Sequence, residues 1–196
     1  MKKILAIVLC VMLLPLIALA EEATETIWVP VDFGDFTMKM QATDGLQMGE
    51  KTEGGLLFIA YPNYDPAALP HDNITAAWTA EKLTFTDETT QEEVDQFAQD
   101  VLDGIVVDMD TQGVAVTDPL MVSAEFADGS LCVLYSMTCD YTALNIDLVT
   151  GLYQMQLYVP VADGTYVFGL TSTTLEGVQY QLDNYFATIE MKEAVE

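Results

Sequence analysis

The apolar positions of this chain change period along its length, and each change marks an element. Ile27-Trp28-Val29-Pro30-Val31 and Phe36-Thr37-Met38-Lys39-Met40 are short and rich in β-branched and apolar residues, which predicts an opening pair of strands. Asp44-Gly45 reads as a turn. The apolar run Gly55 to Ala60 has the length of a strand. Tyr61 to Pro70 carries Pro62, Pro66 and Pro70, so it is a loop, and Ile74 to Phe85 is read as extended.

The pattern then lengthens to a helical period. Thr90-Gln91-Glu92-Glu93 has the spacing of a capping box, with a hydroxyl for the first amides and a glutamate reaching back. Val94, Phe97, Ala98, Val101, Leu102, Ile105 and Met109 follow as one apolar stripe, with Gln91, Glu92, Asp95, Gln99, Asp100 and Asp103 on the other face. This helix is expected to end before Gly113.

Two hairpins follow. Met121–Phe126 and Leu131–Tyr141 flank Ala127-Asp128-Gly129-Ser130, and Gly151–Val161 and Tyr166–Thr171 flank Ala162-Asp163-Gly164-Thr165. Asp-Gly between apolar runs favours a hairpin because glycine accepts positive φ. Leu152 to Tyr158 alternates apolar with polar, which predicts a half-exposed strand. Thr173-Thr174-Leu175-Glu176 is read as a second capping box, opening a last helix with Val178, Leu182, Tyr185, Phe186 and Ile189 inside. The sum is an α+β domain, a mostly antiparallel sheet with helices packed on it.

This order of elements, closed by Tyr166-Val167-Phe168-Gly169-Leu170-Thr171 and a helix ending Tyr185-Phe186-Ala187-Thr188-Ile189, resembles the PsbP/Mog1-type α/β/α sandwich over most of Ile27 to Met191. Such families include photosystem extrinsic subunits, a Ran-binding nuclear factor and exported bacterial proteins without assigned function. The resemblance implies a fold and carries over no functional residue.

The first twenty residues stand apart. Lys2 and Lys3 precede an apolar run from Ile4 to Leu14, Pro15 breaks it, and Ala18-Leu19-Ala20 offers small residues ahead of Glu21. This is the pattern of a secretory signal peptide, so residues 21–196 are expected to form one mature domain, secreted or in the cell envelope. No later run has the length to span a membrane. Cleavage would remove Cys10 and two of six basic residues, leaving four basic against 31 acidic residues in 176, a net charge of about −27. There is no arginine. Nucleic acid is excluded as a partner, since phosphate contacts need clustered Lys and Arg. The acidity fits either a solvated shell or divalent cation binding. Cys132 and Cys139 lie on one strand, on opposite faces and on the order of 23 Å apart at strand rise, so no intramolecular disulfide is expected between them.

Candidate chemistry is sparse. Asp108-Met109-Asp110-Thr111-Gln112-Gly113 resembles the start of a calcium loop, with Asp108 and Asp110 as ligands, although Pro119 stands where a bidentate glutamate is expected. His71 is the lone histidine, and no nucleophile-elbow pattern surrounds Ser123, Ser130, Ser136 or Ser172. Tyr61 and Tyr64 in the proline loop, and Tyr153 and Tyr158 on a strand, are the aromatic candidates for an exposed binding surface, while Trp28 and Trp78 are assigned to the core. The reading these residues support is a secreted, non-catalytic binding domain for an unidentified protein or small ligand. The alternatives are a calcium-responsive extracellular protein and a small secreted hydrolase.

Overall fold

A computed structural model describes residues 26–65, 72–127 and 129–192. The elements run β1 (Trp28–Asp32), β2 (Phe36–Gln41), β3 (Gly45–Met48), β4 (Leu56–Tyr61), β5 (Asn73–Thr79), α1 (Gln91–Thr111), β6 (Ala115–Ala127), β7 (Ser130–Asp140), β8 (Val149–Val161), β9 (Gly164–Ser172), α2 (Leu175–Asn184) and β10 (Glu190–Met191). β3 to β9 form a seven-stranded sheet in the order β3-β4-β5-β9-β8-β7-β6, and β1, β2 and β10 form a small sheet in the order β1-β2-β10. Every pairing is antiparallel.

α1 forms where its local code says it should. Thr90 accepts the Glu93 amide, and the Glu93 side chain reaches back to the Thr90 backbone. Val94, Ala98, Val101, Leu102, Ile105 and Met109 are buried on one stripe, against Val133, Tyr135, Met137 and Cys139 of β7. On the other side of the large sheet, α2 and the small sheet enclose a second core of Phe36, Met38, Phe58, Ile74, Tyr166, Phe168, Leu170, Val178 and Tyr185. The result is an α+β sandwich, with α1 packed on one side of the central sheet and α2 and the small sheet on the other.

Several expectations need correction. The cap of α2 is Thr174, whose hydroxyl accepts the Gly177 amide, so the Thr173–Glu176 box does not form. Two neighbouring threonines offer the same hydroxyl, and only the chain direction leaving β9 selects between them. The helix also stops at Asn184, a 3-10 turn at Phe186–Thr188 follows, and the chain closes as β10 on β2. The strand expected over Ile74 to Phe85 ends at Thr79. On β8 the polar positions lie inside: Gln154 and Gln156 are buried, while Tyr153 and Met155 are half-buried. α1 lies over that face, so the alternation reads inverted.

The two Asp-Gly turns differ in what the glycine supplies. Gly129 has φ +79° and uses its freedom. Gly164 instead allows close approach, because a Cβ there would meet the Thr79 carbonyl at 2.0 Å. Cys132 and Cys139 are both free, on opposite faces of β7.

Candidate functional site

Register assigns each residue of the large sheet to a face. Facing residues on antiparallel neighbours share a side, and successive residues alternate. Leu134 faces Met155, which faces Leu170; Ser136 faces Tyr153, which faces Ser172. Leu170 belongs to the core under α2, so these rows lie on the α2 side. Leu120, opposite Ser136, and Glu125, opposite Cys132, continue them onto β6.

α2 does not reach that far. It packs on β9 and the near side of β8, whereas β6 packs chiefly on β7 and α1. Among the described elements the α2 side of β6, β7 and β8 is therefore left as a shallow strip. Its floor is apolar, with Cys132, Leu134, Tyr153 and Met155 all half-buried. Leu120 on β6 is 58% exposed, and Leu175 at the start of α2 is 47% exposed. The same three strands are closed on their other side by α1. One layer of the sandwich is thus half built.

The electrostatics of this half are one-sided. No Lys or Arg stands between Lys82 and Lys192, a span holding α1, both hairpins and α2. Glu125 lies on the strip side of β6 and Glu176 in the first turn of α2. The Cys132 thiol is pushed up by burial first and then by the charge of Glu125. On the helices, carboxylates take amides instead of cations: Gln91 donates to Asp95 at 2.8 Å, Gln96 to Asp100 at 2.7 Å, Gln99 to Asp103 at 2.8 Å and Gln179 to Asp183 at 2.9 Å. These i,i+4 pairs hold side chains in place and leave the negative charge unneutralised.

The positive charge gathers elsewhere. Lys51 binds Asp35 at 2.5 Å and Asp163 at 2.9 Å. Its ammonium lies 4.8 Å from the Trp78 ring centroid and 5.4 Å from that of Tyr166. The Tyr166 hydroxyl donates to the same Asp35 oxygen at 2.5 Å, and Lys192 binds Asp32 at 2.6 Å. Burial acts to lower the Lys51 pKa, but the Asp35 and Asp163 hydrogen bonds outweigh it and hold the ammonium above its ordinary value. Asp35 is held low, first by Lys51 and then by Tyr166. These groups border a cleft of about 660 Å³ lined by Asp35, Val159, Val161, Asp163, Tyr166 and Lys192. Lys192 on its lining and the neighbouring Lys51 are each paired with carboxylates. The cluster works as a staple joining the β1–β2 turn, the loop before β4 and the β8–β9 turn.

The residues singled out in the sequence scatter. Tyr153 lies in the strip. Tyr158 does not: it faces α1, is 3% exposed, and donates its hydroxyl to Gln156. Tyr61 is 4% exposed and tilted against Tyr64 at 5.7 Å, on the opposite sheet face from Tyr153. Burial also raises its phenol pKa, with a smaller contribution from Tyr64. The expected exposure of Tyr61 and Tyr158 is thus corrected. Trp28 and Trp78 are half-buried at the margin of the second core.

Asp108 and Asp110 sit in the last turn of α1, not in a loop. Two residues apart on a helix is about 200° of rotation, so their carboxylates diverge. Among the described residues no group of three His, Cys, Asp or Glu converges. His71 and the 1–20 segment lie outside the described residues. Ser172 is 2% exposed, donates to Asp72 at 2.9 Å and accepts the Thr174 amide at 3.3 Å, so its hydroxyl is committed to the turn. Asp44, a carboxyl raised by burial, accepts the Gln41 and Asn63 amides and the Tyr185 hydroxyl, and ties three segments together.

Sequence reading missed Leu120, Leu134, Met155 and Leu175. A signal was present: β7 is apolar on both faces over Leu131 to Tyr135, which a strand covered on one side only does not require.

No family model and no curated protein matches this chain. The solution structure of cyanobacterial PsbP (CyanoP) from Synechocystis is similar at a TM-score of 0.52 and 8% identity, over 89% of this chain and 98% of that one. The Ran-binding protein Mog1p of Saccharomyces cerevisiae gives a TM-score of 0.49 at 8% identity, over 85% of this chain and 96% of its own. The chain has a PsbP/Mog1-like fold, as its element order implied. At such identity the likeness establishes the fold alone. Among the described residues no helix is long and apolar enough to cross a membrane.

Proposed function

We propose that this protein is a non-catalytic interaction domain, exported to the cell envelope or beyond, that binds a partner protein through the strip on β6, β7 and β8. The observation that carries the reading is the strip itself. An apolar floor of Leu134, Tyr153 and Met155, bordered by exposed Leu120 and Leu175, is left half-covered in an otherwise closed sandwich. Contiguous exposed apolar surface of this kind is characteristic of binding sites. The state of the polar groups supports it too, since Ser172 and Asp44 are occupied by structural hydrogen bonds.

The test is a photo-crosslinking residue placed at Tyr153 in the strip, with a control at Glu92 on the exposed face of α1, in protein exported by its source organism. A discrete adduct formed from position 153 and not from 92 is the expected result. No adduct from 153, or the same adducts from both, overturns the reading.

A further inference from the structure

The dimensions and charge of the strip specify more than a generic interface. We infer that its occupant is an amphipathic α-helix of a partner protein, with Lys or Arg flanking its apolar stripe; this rests on the interaction reading above.

Width is the first argument. The strip spans three strands, so the axes of β6 and β8 stand about 10 Å apart. A helix with its side chains is about 10–12 Å across. The same three strands already accept one helix on their other face, where the 21-residue α1 lies. β7, the middle strand, has 11 residues, giving a floor of about 36 Å at strand rise, long enough for such a helix. α2 forms the inner wall and the β6 edge leaves the outer side free.

Charge is the second. Glu125 stands on the strip side of β6, and no basic side chain occurs on α1, β6, β7, β8 or α2. A partner with apolar residues toward the floor and cations toward the rim satisfies both features. A second copy of this chain does not, because its own helices present carboxylates. Strand addition at the β6 edge is disfavoured. The β6–β7 register is irregular at Thr117/Leu120 and at Met121/Ser123, and Pro119 within the strand has no amide to donate.

An 18-residue helical peptide of Leu and Lys serves as the probe, against the same pattern in Leu and Glu and an alternating Val-Lys strand peptide. The readout is amide chemical shifts of the purified protein. The Leu/Lys helix is expected to bind saturably, to shift Leu134, Tyr153 and Met155, and to lose at least tenfold in affinity with Ser136→Lys in the strip floor. Leu120→Lys at the exposed rim adds a second charge should the first variant fail to fold, and is expected to weaken binding in the same direction. The Leu/Glu peptide is expected not to bind.

Shifts confined to the acidic face of α1, indifference to both variants, or preferential binding of the strand peptide with shifts along β6 overturn the inference. If the Leu/Lys helix fails while a crosslinker at position 153 still captures a partner, the helical occupant is wrong and the interaction reading stands. Failure of both removes both.

Discussion

Lys51 is the most informative residue to remove, because four interactions converge on one ammonium. Lys51→Met keeps most of the aliphatic stem and deletes the charge. The two ion pairs join partly exposed carboxylates, with the Asp35 and Asp163 side chains 48% and 61% exposed, so each is worth at most about 0.5 kcal/mol after screening. The rings of Trp78 and Tyr166 add about 0.5 kcal/mol each, the value for cation–π contacts near the surface. The sum is about 2 kcal/mol. For a domain of this size that corresponds to a fall in Tm of about 4–8 °C.

Thermal unfolding followed by circular dichroism measures it, and the pH profile identifies the cause. Asp35 has a folded pKa below its ordinary 3.8, so its share of the stability is present above that value and is lost as pH falls through the lowered one. The Tyr166 phenol is pushed up to about 12, by burial first and then by its bond to Asp35. A raised folded pKa contributes stability below the ordinary 10 that disappears as pH rises toward 12. The Lys51→Met deficit should therefore be largest between about pH 5 and 9 and shrink on the acid side. A Tm change below 1 °C at pH 7, or one that persists unchanged at pH 2, refutes the staple.

Three further outcomes follow from the geometry. Thr90→Ala removes the hydroxyl of the α1 capping box and should cost about 1 kcal/mol, or a Tm lower by about 2–4 °C, measured by calorimetry. Gln154→Met replaces a fully buried amide whose nitrogen and oxygen have no hydrogen-bond partner among the described residues, so unfolding in urea should show a gain of about 1–2 kcal/mol; a loss would mean that the amide is satisfied in solution. Millimolar calcium should leave Tm unchanged, because Asp108 and Asp110 diverge on α1; a rise that Asp108→Asn abolishes would establish the calcium reading instead.

What could be read from the chain divides by the range of the forces involved. α1 was legible because its cap and its stripe both lie within one segment. The hairpins were legible because each is closed by its own turn. β3 and β10, of four and two residues, form only because a partner strand is already there. Nothing local in Gly45–Met48 or Glu190–Met191 announces them. Gln154 and Gln156 misled for a related reason: polarity indicates a preference for water, and α1, far off in sequence, decides that this face has none. The strip was half legible. Tyr153 was singled out as an aromatic on an alternating strand, but recognising it as part of a surface required the register that sets it on one face with Leu134 and Leu120.

The acidity changes meaning once the structure is known. Read as composition, it describes a solvated shell. In the fold it is partitioned: Lys51 and Lys192 gather around the cleft beside the small sheet, while α1, β6, β7, β8 and α2 carry no cation at all. An apolar strip on an edge-containing sheet is ordinarily an aggregation hazard. Here two copies approaching strip to strip meet only carboxylate at the strip, from Glu125, with no cation to pair it, and the interrupted β6 edge denies them strand pairing. The arrangement permits apolar surface to remain exposed by repelling the chain's own kind. The same field attracts a cationic partner, so solubility and selectivity follow from one distribution of charge.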